Sequence, residues 1–368
     1  MGLMAFGFEH LPQDYSYGTP TKGYGLSALG WDIQSYWGSG NDSTGNLATL
    51  RVKNGYIQAG DKTGVLTQCA GKNTIPFSSF IGVGTQPNKV IIGFRCTRFT
   101  TIAETVPIFS VSTDRESAQP YAGLLPAVMY APADALNAPK YYEVEIDLVA
   151  RTWKVFTDNV QTSTGAVDAG ITKANFSTRF WQIGAIDRYW YPANLAEGVT
   201  LFGIKDIYIN WSTDAEGDTV ADRLGPITVV RVPPKADNEA PWPISGVAAS
   251  RAAALAALRP TSDNLTTPMI ATDQDKTPLS VTLDTTVLPA GIVKGLTVSF
   301  SACTNGSTPV AVQGKLTFAG NSSTGVSVTP ANVLPVVDTF IGNFKTLPGG
   351  AALSKANLAT TEIVLTPS

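Results

Sequence analysis

Hydrophobic and polar positions alternate most regularly between residues 141 and 148. One set of positions is apolar and consists of Tyr142, Val144, Ile146 and Leu148. The other set is mostly acidic and consists of Tyr141, Glu143, Glu145 and Asp147. Because successive side chains of a strand point to opposite faces, this pattern predicts a half-buried β-strand. A tight turn at 149–152 and a second apolar-rich run ending at 158–159 then predict a β-hairpin.

Short apolar runs separated by turn residues recur from the start of the chain to residue 232. Asn54-Gly55 lies between two of them, and Asn-Gly is a strong signal for a tight hairpin. The spacing, without a helical period, predicts an antiparallel sandwich or jelly roll. The predicted strands are at residues 31–37, 47–52, 55–59, 65–69, 78–84, 89–99, 108–112, 123–130, 180–185, 201–210 and 227–232.

The rest of the chain changes character after a double proline at 233–234. Residues 233–243 are proline-rich and polar, which is typical of a linker. Residues 247–258 are rich in alanine and leucine and are followed by Pro260, so they predict a helix. We therefore expect an all-β protein with three parts: an amino-terminal antiparallel jelly-roll sandwich at 1–235, a linker at 236–278 that contains the short helix, and a small carboxyl-terminal β-sandwich at 279–368.

Composition argues against several classes of protein. Charged residues make up 15% of the chain, the net charge is −3, and no basic cluster is present, so we expect no nucleic-acid partner. No apolar run reaches 18 residues and the first residues do not resemble a signal peptide, so we expect no membrane insertion. The single histidine, His10, and the widely spaced Cys69, Cys96 and Cys303 favour neither a catalytic triad nor a zinc site.

Three stretches carry a resemblance to a known family. The opening MGLMAFGFEH resembles an apolar start followed by a "GFDHY"-like patch. The hairpin at 141–159 resembles an "EIxVD" strand that turns back into a strand ending in Asp-Asn. DIYIN at 206–210, followed by LGPITV at 224–229, resembles a "DIYV…FLGDVRV" signature, although Pro226 stands where the family usually has Asp. Together these stretches resemble tailed-bacteriophage virion proteins with a laminin-G-like (concanavalin A-like) jelly roll.

This resemblance covers residues 1–235 and implies a function. It implies a non-enzymatic virion structural protein, made in the bacterial host cytoplasm and exposed on the particle as a tail, fibre or decoration component that mediates assembly and host attachment. The implied partners are other phage virion proteins and further copies of the chain, with a host surface glycan as an additional candidate. It implies neither a cofactor nor catalytic residues.

Two alternatives remain open. The first is a carbohydrate-binding module that recognises host surface glycan. The second is a glycoside hydrolase that uses Glu143, Glu145 and Asp147, because this stretch resembles the E-x-D-x-x-E strand of jelly-roll glucanases. Retaining glycosidases need two carboxylates about 5 Å apart, whereas neighbours on one strand face are about 6–7 Å apart. The residue order and the missing third glutamate favour a solvated strand face instead.

Two further segments contain candidate binding residues. Asp214, Glu216, Asp218 and Asp222 have oxygen ligands suited to calcium, but they lack EF-hand spacing and are ordinary turn formers, so we expect no metal site. Arg188, Tyr189, Trp190 and Tyr191 form an aromatic loop. Exposed aromatic side chains stack on sugars or anchor interfaces, so these four residues are the candidate interface or glycan loop. Packing of the loop onto its own sandwich is the alternative.

Overall fold

A computed structural model gives the architecture. It describes residues 2–6, 15–16, 32–36, 48–53, 56–62, 70–99, 106–112, 124–130, 135–183, 202–215, 221–238, 240–245, 248–257, 269–270, 277–302, 310–330 and 337–367. The described residues divide into two compact units, with the change between Val229 and Val230, and Leu3–Ala5 belongs with the second unit. The predicted division at residues 235 and 278 stays a prediction.

Among the described residues up to 229 there are strands, one short α-helix and one 3₁₀ helix at Lys173–Thr178. The α-helix, α1, spans Ser78–Ile81. The strands are β1 Gly2–Phe6, β2 Tyr15–Ser16, β3 Asp32–Tyr36, β4 Ala48–Lys53, β5 Tyr56–Lys62, β6 Ala70–Pro76, β7 Lys89–Arg98, β8 Val106–Ser112, β9 Leu124–Tyr130, β10 Lys140–Asp147, β11 Thr152–Thr157, β12 Val160–Ala166, β13 Phe180–Ile183 and β14 Phe202–Ser212.

Two antiparallel sheets form this first unit. The larger sheet runs in the order β12-β11-β10-β7-β14-β5-β4-β2, and the smaller one in the order β3-β6-β13-β8-β9. They pack face to face through aromatic rings: Phe94 of β7 stacks on Phe109 of β8, with ring centroids 6.1 Å apart, and lies 5.8 Å from Trp181 of β13. All three side chains are fully buried. The predicted fold class, all-β with an antiparallel jelly-roll sandwich, is confirmed.

The predicted hairpin is confirmed as β10 and β11. Tyr142 pairs with Thr157 and Asp147 pairs with Thr152, and a tight turn joins the two strands. On its other side β10 pairs with β7, which places the hairpin inside the sheet. A second turn at Asp158-Asn159, with both φ angles positive, joins β11 to β12. The hairpin therefore extends to a third strand, β12, which the sequence pattern did not predict.

Two strand predictions are wrong. Residues 78–84 were expected to form a strand, but Ser78–Ile81 is helical, with Phe80 and Ile81 buried. Residues 227–232 were also expected to form a strand, but they form no regular secondary structure. The predicted strand at 65–69 lies outside the described residues.

The second unit is also mostly β. A sheet in the order β15-β18-β24-β20-β21, with β22 beside β20, accompanies the two-stranded sheets β19-β23 and β16-β17. Its core includes Leu283, Val298, Leu316 and Ile341. The strands are β15 Pro234–Asp237, β16 Ile244–Ser245, β17 Met269–Ile270, β18 Leu279–Leu283, β19 Leu296–Ala302, β20 Val312–Phe318, β21 Asn321–Ser322, β22 Val326–Val328, β23 Val337–Phe344 and β24 Glu362–Pro367.

The predicted helix exists but is shorter than residues 247–258. Helix α2 spans Arg251–Ala256, and the Ser250 hydroxyl caps it by accepting a hydrogen bond from the backbone N–H of Ala253 at 3.0 Å. The described residues of this unit also include a 3₁₀ helix at Thr285–Val287 and helix α3 at Lys355–Ala359. The proline-rich segment is not only a linker, because β15 pairs with β18. No helix in the described part of the chain is long and apolar enough to cross a membrane.

Candidate functional site

The aromatic loop predicted from the sequence, Arg188 to Tyr191, lies outside the described residues, so its role stays a prediction. The acidic strand β10 is described completely. Its inner face contributes Tyr142, Val144 and Ile146 to the core between the sheets. Part of its outer face is shielded from water, because residues 221–229 cross over the strand. We call these residues the strap.

Glu143 is the most deeply buried carboxylate of the strand, with 1% of the side chain exposed. Its Oε2 atom lies 2.8 Å from Nη1 of Arg223 in the strap. Its Oε1 atom accepts hydrogen bonds from the hydroxyl of Tyr208 and, at 2.9 Å, from the backbone N–H of Gly225. The Arg223 guanidinium also lies 3.6 Å from the ring centroid of Phe156. The expectation of a solvated strand face is therefore wrong for Glu143, because the strap covers this position and supplies its counter-charge.

Asp206 is a second buried carboxylate, two strands away on β14, with 2% of its side chain exposed. It adopts φ 53° where the pairing of β14 with β7 shifts register between Lys205 and Tyr208. This β-bulge inserts an extra residue and redirects side chains locally. Asp206 Oδ2 accepts from Arg95 Nε at 2.6 Å, and Oδ1 accepts from the backbone N–H of Val229 at 2.9 Å. Asp206 therefore holds the far end of the strap, as Glu143 holds its beginning.

Two buried tyrosines fill the space between the carboxylates. The hydroxyl of Tyr141 donates to the backbone oxygen of Asp206 at 3.3 Å. Burial, reinforced by the nearby charge of Glu143, raises the pKa of both Tyr141 and Tyr208 far above its ordinary value. Both phenols therefore remain protonated and act as hydrogen-bond donors.

Gly93 of β7 makes room for the two rings. A Cβ atom at this position would lie 2.0 Å from Cε1 of Tyr208 and 2.9 Å from the hydroxyl of Tyr141. No side chain fits at those distances, so close packing of the tyrosines requires glycine here.

The other two acidic residues of the strand have local roles. Glu145 Oε1 lies 3.6 Å from Lys89 Nζ and 3.7 Å from Lys154 Nζ, which belong to the strands on either side. Asp147 Oδ1 accepts hydrogen bonds from the backbone N–H groups of Val149 and Ala150, at 3.0 and 2.7 Å. It therefore stabilises the hairpin turn. Glu143, Glu145 and Asp147 are thus each engaged by a different set of partners.

The acidic segment after β14 shows similar local pairing. Asp214 accepts hydrogen bonds from Lys173 Nζ at 2.5 Å and from Asn88 Nδ2 at 2.7 Å. The bond from Lys173, followed by that from Asn88, holds the pKa of Asp214 below its usual range. Asp222 offers its backbone oxygen to Asn210, while Glu216 and Asp218 lie outside the described residues. Among the residues that are described, no group of three acidic, histidine or cysteine side chains could hold a metal ion.

The buried cluster itself, with Asp206, Tyr208, Arg95 and Arg223, was not predicted as a site. One signal pointed towards it. The signature that spans 206–210 and 224–229 contains Asp206, Tyr208 and Gly225, and its two halves meet in the fold. The ion pair between Glu143 and Arg223 joins residues 80 positions apart, which local sequence patterns do not reveal.

Comparisons with known proteins give a fold likeness only. No family model matches the chain, and no curated protein matches it. Among solved structures, alginate lyase Aly36B has a TM-score of 0.34 and 8% identity over 56% of this chain and 96% of the lyase. A sialidase has a TM-score of 0.32 and 8% identity over 58% of this chain. The Trypanosoma rangeli sialidase has a TM-score of 0.27 and 14% identity over 43% of this chain.

The matched region spans only part of the sialidases, 18% and 25% of their lengths. At these identities and TM-scores the likeness assigns no activity to this chain. Carbohydrate-active enzymes are therefore structural neighbours of the protein and nothing more.

Proposed function

We propose that this protein is a non-enzymatic structural component of a tailed-bacteriophage virion, exposed on the particle as a tail, fibre or decoration protein. The non-enzymatic part of the proposal depends on the burial of Glu143 and on its hydrogen bonds. A nucleophile or general acid must reach a substrate bond. Glu143 is instead buried and already accepts from Arg223, Gly225 and Tyr208. The carboxylate of Glu143 therefore holds the strap on the sheet.

The virion part of the proposal is supported by the sequence resemblance, whose third motif has a structural meaning in this chain. DIYIN places Asp206 and Tyr208 on the sheet, and LGPITV places Gly225 and Val229 on the strap. Pro226, where the family usually has Asp, lies between two contacts that use its neighbours. Gly225 donates to Glu143, and the backbone oxygen of Ile227 accepts from Arg95. The strap therefore keeps its anchors without an acidic residue at 226.

Under this proposal the chain binds by its surface to other virion proteins and to further copies of itself. The loop at 188–191 is the proposed anchor on the amino-terminal sandwich, because three adjacent aromatic side chains are typical of interface cores. Replacing Tyr189 and Trp190 together with alanine is expected to release the protein from particles while its circular dichroism spectrum stays unchanged. Incorporation of that variant into particles at the wild-type level would show that the loop is not part of the interface.

The central experiment locates the chain on the particle and tests for catalysis in parallel. Purified particles are imaged by cryo-electron microscopy, and this chain is expected in the density at a fixed number of symmetric positions. The isolated protein is then incubated with β-glucans, sialylated glycans and alginate, and no new reducing or unsaturated ends are expected. Turnover of any of these substrates would overturn the non-enzymatic proposal. Loss of that turnover in Glu145→Gln would place the catalysis on strand β10. Binding on a glycan array without turnover would support a carbohydrate-binding module instead.

A further inference from the structure

Strand β12, Val160–Ala166, ends the larger sheet on one side. All of its residues are exposed except the half-buried Gly165. In the part of the chain that the structure describes, no strand pairs with its free side. An edge strand presents unpaired backbone N–H and C=O groups and is therefore a template for pairing with another chain. We propose that β12 pairs with β12 of a second copy and joins two amino-terminal sandwiches into one continuous sheet.

The other described ends of the three larger sheets carry features that discourage such pairing. Charged residues, proline and very short strands protect edges against association. The sequence of β3 contains Asp32, that of β9 contains Pro126, and that of β15 contains Pro234, Lys235 and Asp237. Strands β2 and β21 are two residues long. Strand β12 has the sequence VQTSTGA, with neither charge nor proline.

Strand β19, Leu296–Ala302, is uncharged as well, but it is not free along its length. The backbone N–H of Ala5 donates to the Thr297 hydroxyl at 3.0 Å, so residues 3–5 cover its beginning. Most of its residues are half-buried, in contrast to those of β12. Among the described edges, β12 therefore combines length, neutrality and exposure.

The strand chemistry favours a second copy as the partner. Like charges directly opposite each other destabilise a strand pair, and a strand without charges meets its own copy without this penalty. An antiparallel pair of identical strands has two-fold symmetry, which gives a closed dimer. Thr162 is an extra residue in the pairing with β11, since Ser163 pairs with Val155 and Gln161 with Phe156. The regular stretch is thus 163–166. A two-fold axis perpendicular to the sheet keeps each side chain on its own face. Thr164 of one copy would therefore lie opposite Ala166 of the other, with Gly165 opposite its own copy.

This short ladder implies a weak dimer. Interfaces below about 1,200 Å² of buried surface are typical of transient complexes. We therefore expect association that depends on protein concentration and becomes complete only at the high local concentration of an assembly. The inference does not depend on the proposed virion role, because it concerns the isolated chain.

The test is sedimentation equilibrium of the full chain between micromolar and millimolar concentration. The wild-type protein is expected to dimerise. T164K/A166K places lysines opposite one another and should raise the dissociation constant about tenfold or more. The matched control V83K/V149K adds the same charge at positions that are 90% and 65% exposed and lie outside the edge, and it should dimerise like the wild type. Circular dichroism verifies that each variant is folded.

A charge-complementation arm makes the test specific for this pairing. Mixing T164K/A166K with T164E/A166E should restore dimers that contain one copy of each, because each lysine then faces a glutamate. A monomeric wild type at millimolar concentration, a T164K/A166K variant that associates normally, or a mixture that stays monomeric would each overturn the proposal.

Discussion

Both faces of the larger sheet contain fully buried side chains, but the chemistry of their burial differs. On the inner face Phe94 packs against Phe109 and Trp181 of the smaller sheet, and Tyr142 and Val144 are buried. The outer face buries Glu143 and Asp206 beneath the strap, each with an arginine and a backbone N–H as partners. The inner face gains from removal of apolar area, whereas the outer face exchanges hydration for directed polar contacts. The comparison shows that a polar face in a sequence need not be a solvent face.

The two kinds of burial serve different ends. Burial of one large apolar side chain contributes about 1.5–3 kcal/mol and requires little directionality. A buried ion pair contributes little net stability, because desolvation offsets the Coulomb attraction. Such buried polar contacts do restrict the strap to one arrangement. Arg223 and the N–H groups of Gly225 and Val229 must match two carboxylates whose positions the sheet fixes. We infer that the inner face supplies stability and that the outer face fixes the path of the strap.

The largest effect is expected on the inner face. Phe94→Ala removes a ring that contacts Phe109, Tyr142 and Trp181, and it should lower the free energy of unfolding by about 3–5 kcal/mol. Urea denaturation followed by tryptophan fluorescence measures this loss. Val149→Ala, at a side chain that is 65% exposed, is the control and should stay within about 0.5 kcal/mol of wild type. A loss below about 1 kcal/mol for Phe94→Ala would contradict the packing of the two sheets.

The adjacent residue tests the outer face by overfilling it. Gly93→Ala places a methyl group 2.0 Å from the ring of Tyr208 and should cost about 3 kcal/mol, at the upper end for overpacking. In a Tyr208→Ala background the clash is relieved, so the same substitution should cost much less. A double-mutant cycle in urea measures this coupling. Equal costs in both backgrounds would show that Gly93 and Tyr208 do not meet.

The next effect tests the asymmetry of the ion pair between Glu143 and Arg223. Arg223→Ala should cost about 2 kcal/mol, because it leaves a carboxylate with 1% exposure without its cation. Glu143→Gln should cost about 1 kcal/mol, because the arginine left behind is 27% exposed and can be hydrated. Limited proteolysis should show faster cleavage within 221–229 for Arg223→Ala than for Glu143→Gln. A larger loss of unfolding free energy for Glu143→Gln than for Arg223→Ala would show that the arginine is the more deeply buried partner.

The sequence predicted the inner face better than the outer one. Alternation along β10 identified which residues share a side, and this depends only on the two-residue period of a strand. The burial of Glu143 depends on a segment 80 residues away that forms no strand. The positive φ of Asp206 depends on a bulge that propensity does not predict. Strand β12 was missed because VQTSTGA has no apolar alternation, and it forms because the Asp158-Asn159 turn folds it back on β11.

The smallest effect is expected at a surface ion pair, which completes the comparison with the buried ones. Asp214 is 76% exposed and pairs with Lys173 at 2.5 Å. Its pKa is lower in the folded protein than in the unfolded chain, because it accepts hydrogen bonds from Lys173 and Asn88. The pair therefore stabilises the fold above the ordinary pKa of an aspartate, and this contribution disappears as the pH falls through the lowered value.

Asp214→Asn should thus shift the urea midpoint slightly at pH 7, less than any variant above, and the shift should shrink in high salt. Below the lowered pKa the carboxyl is protonated in both the folded and the unfolded state, so wild type and variant should converge as the pH falls. A difference that persists there unchanged would show that Asp214 acts through its shape and hydrogen bonds, not through its charge.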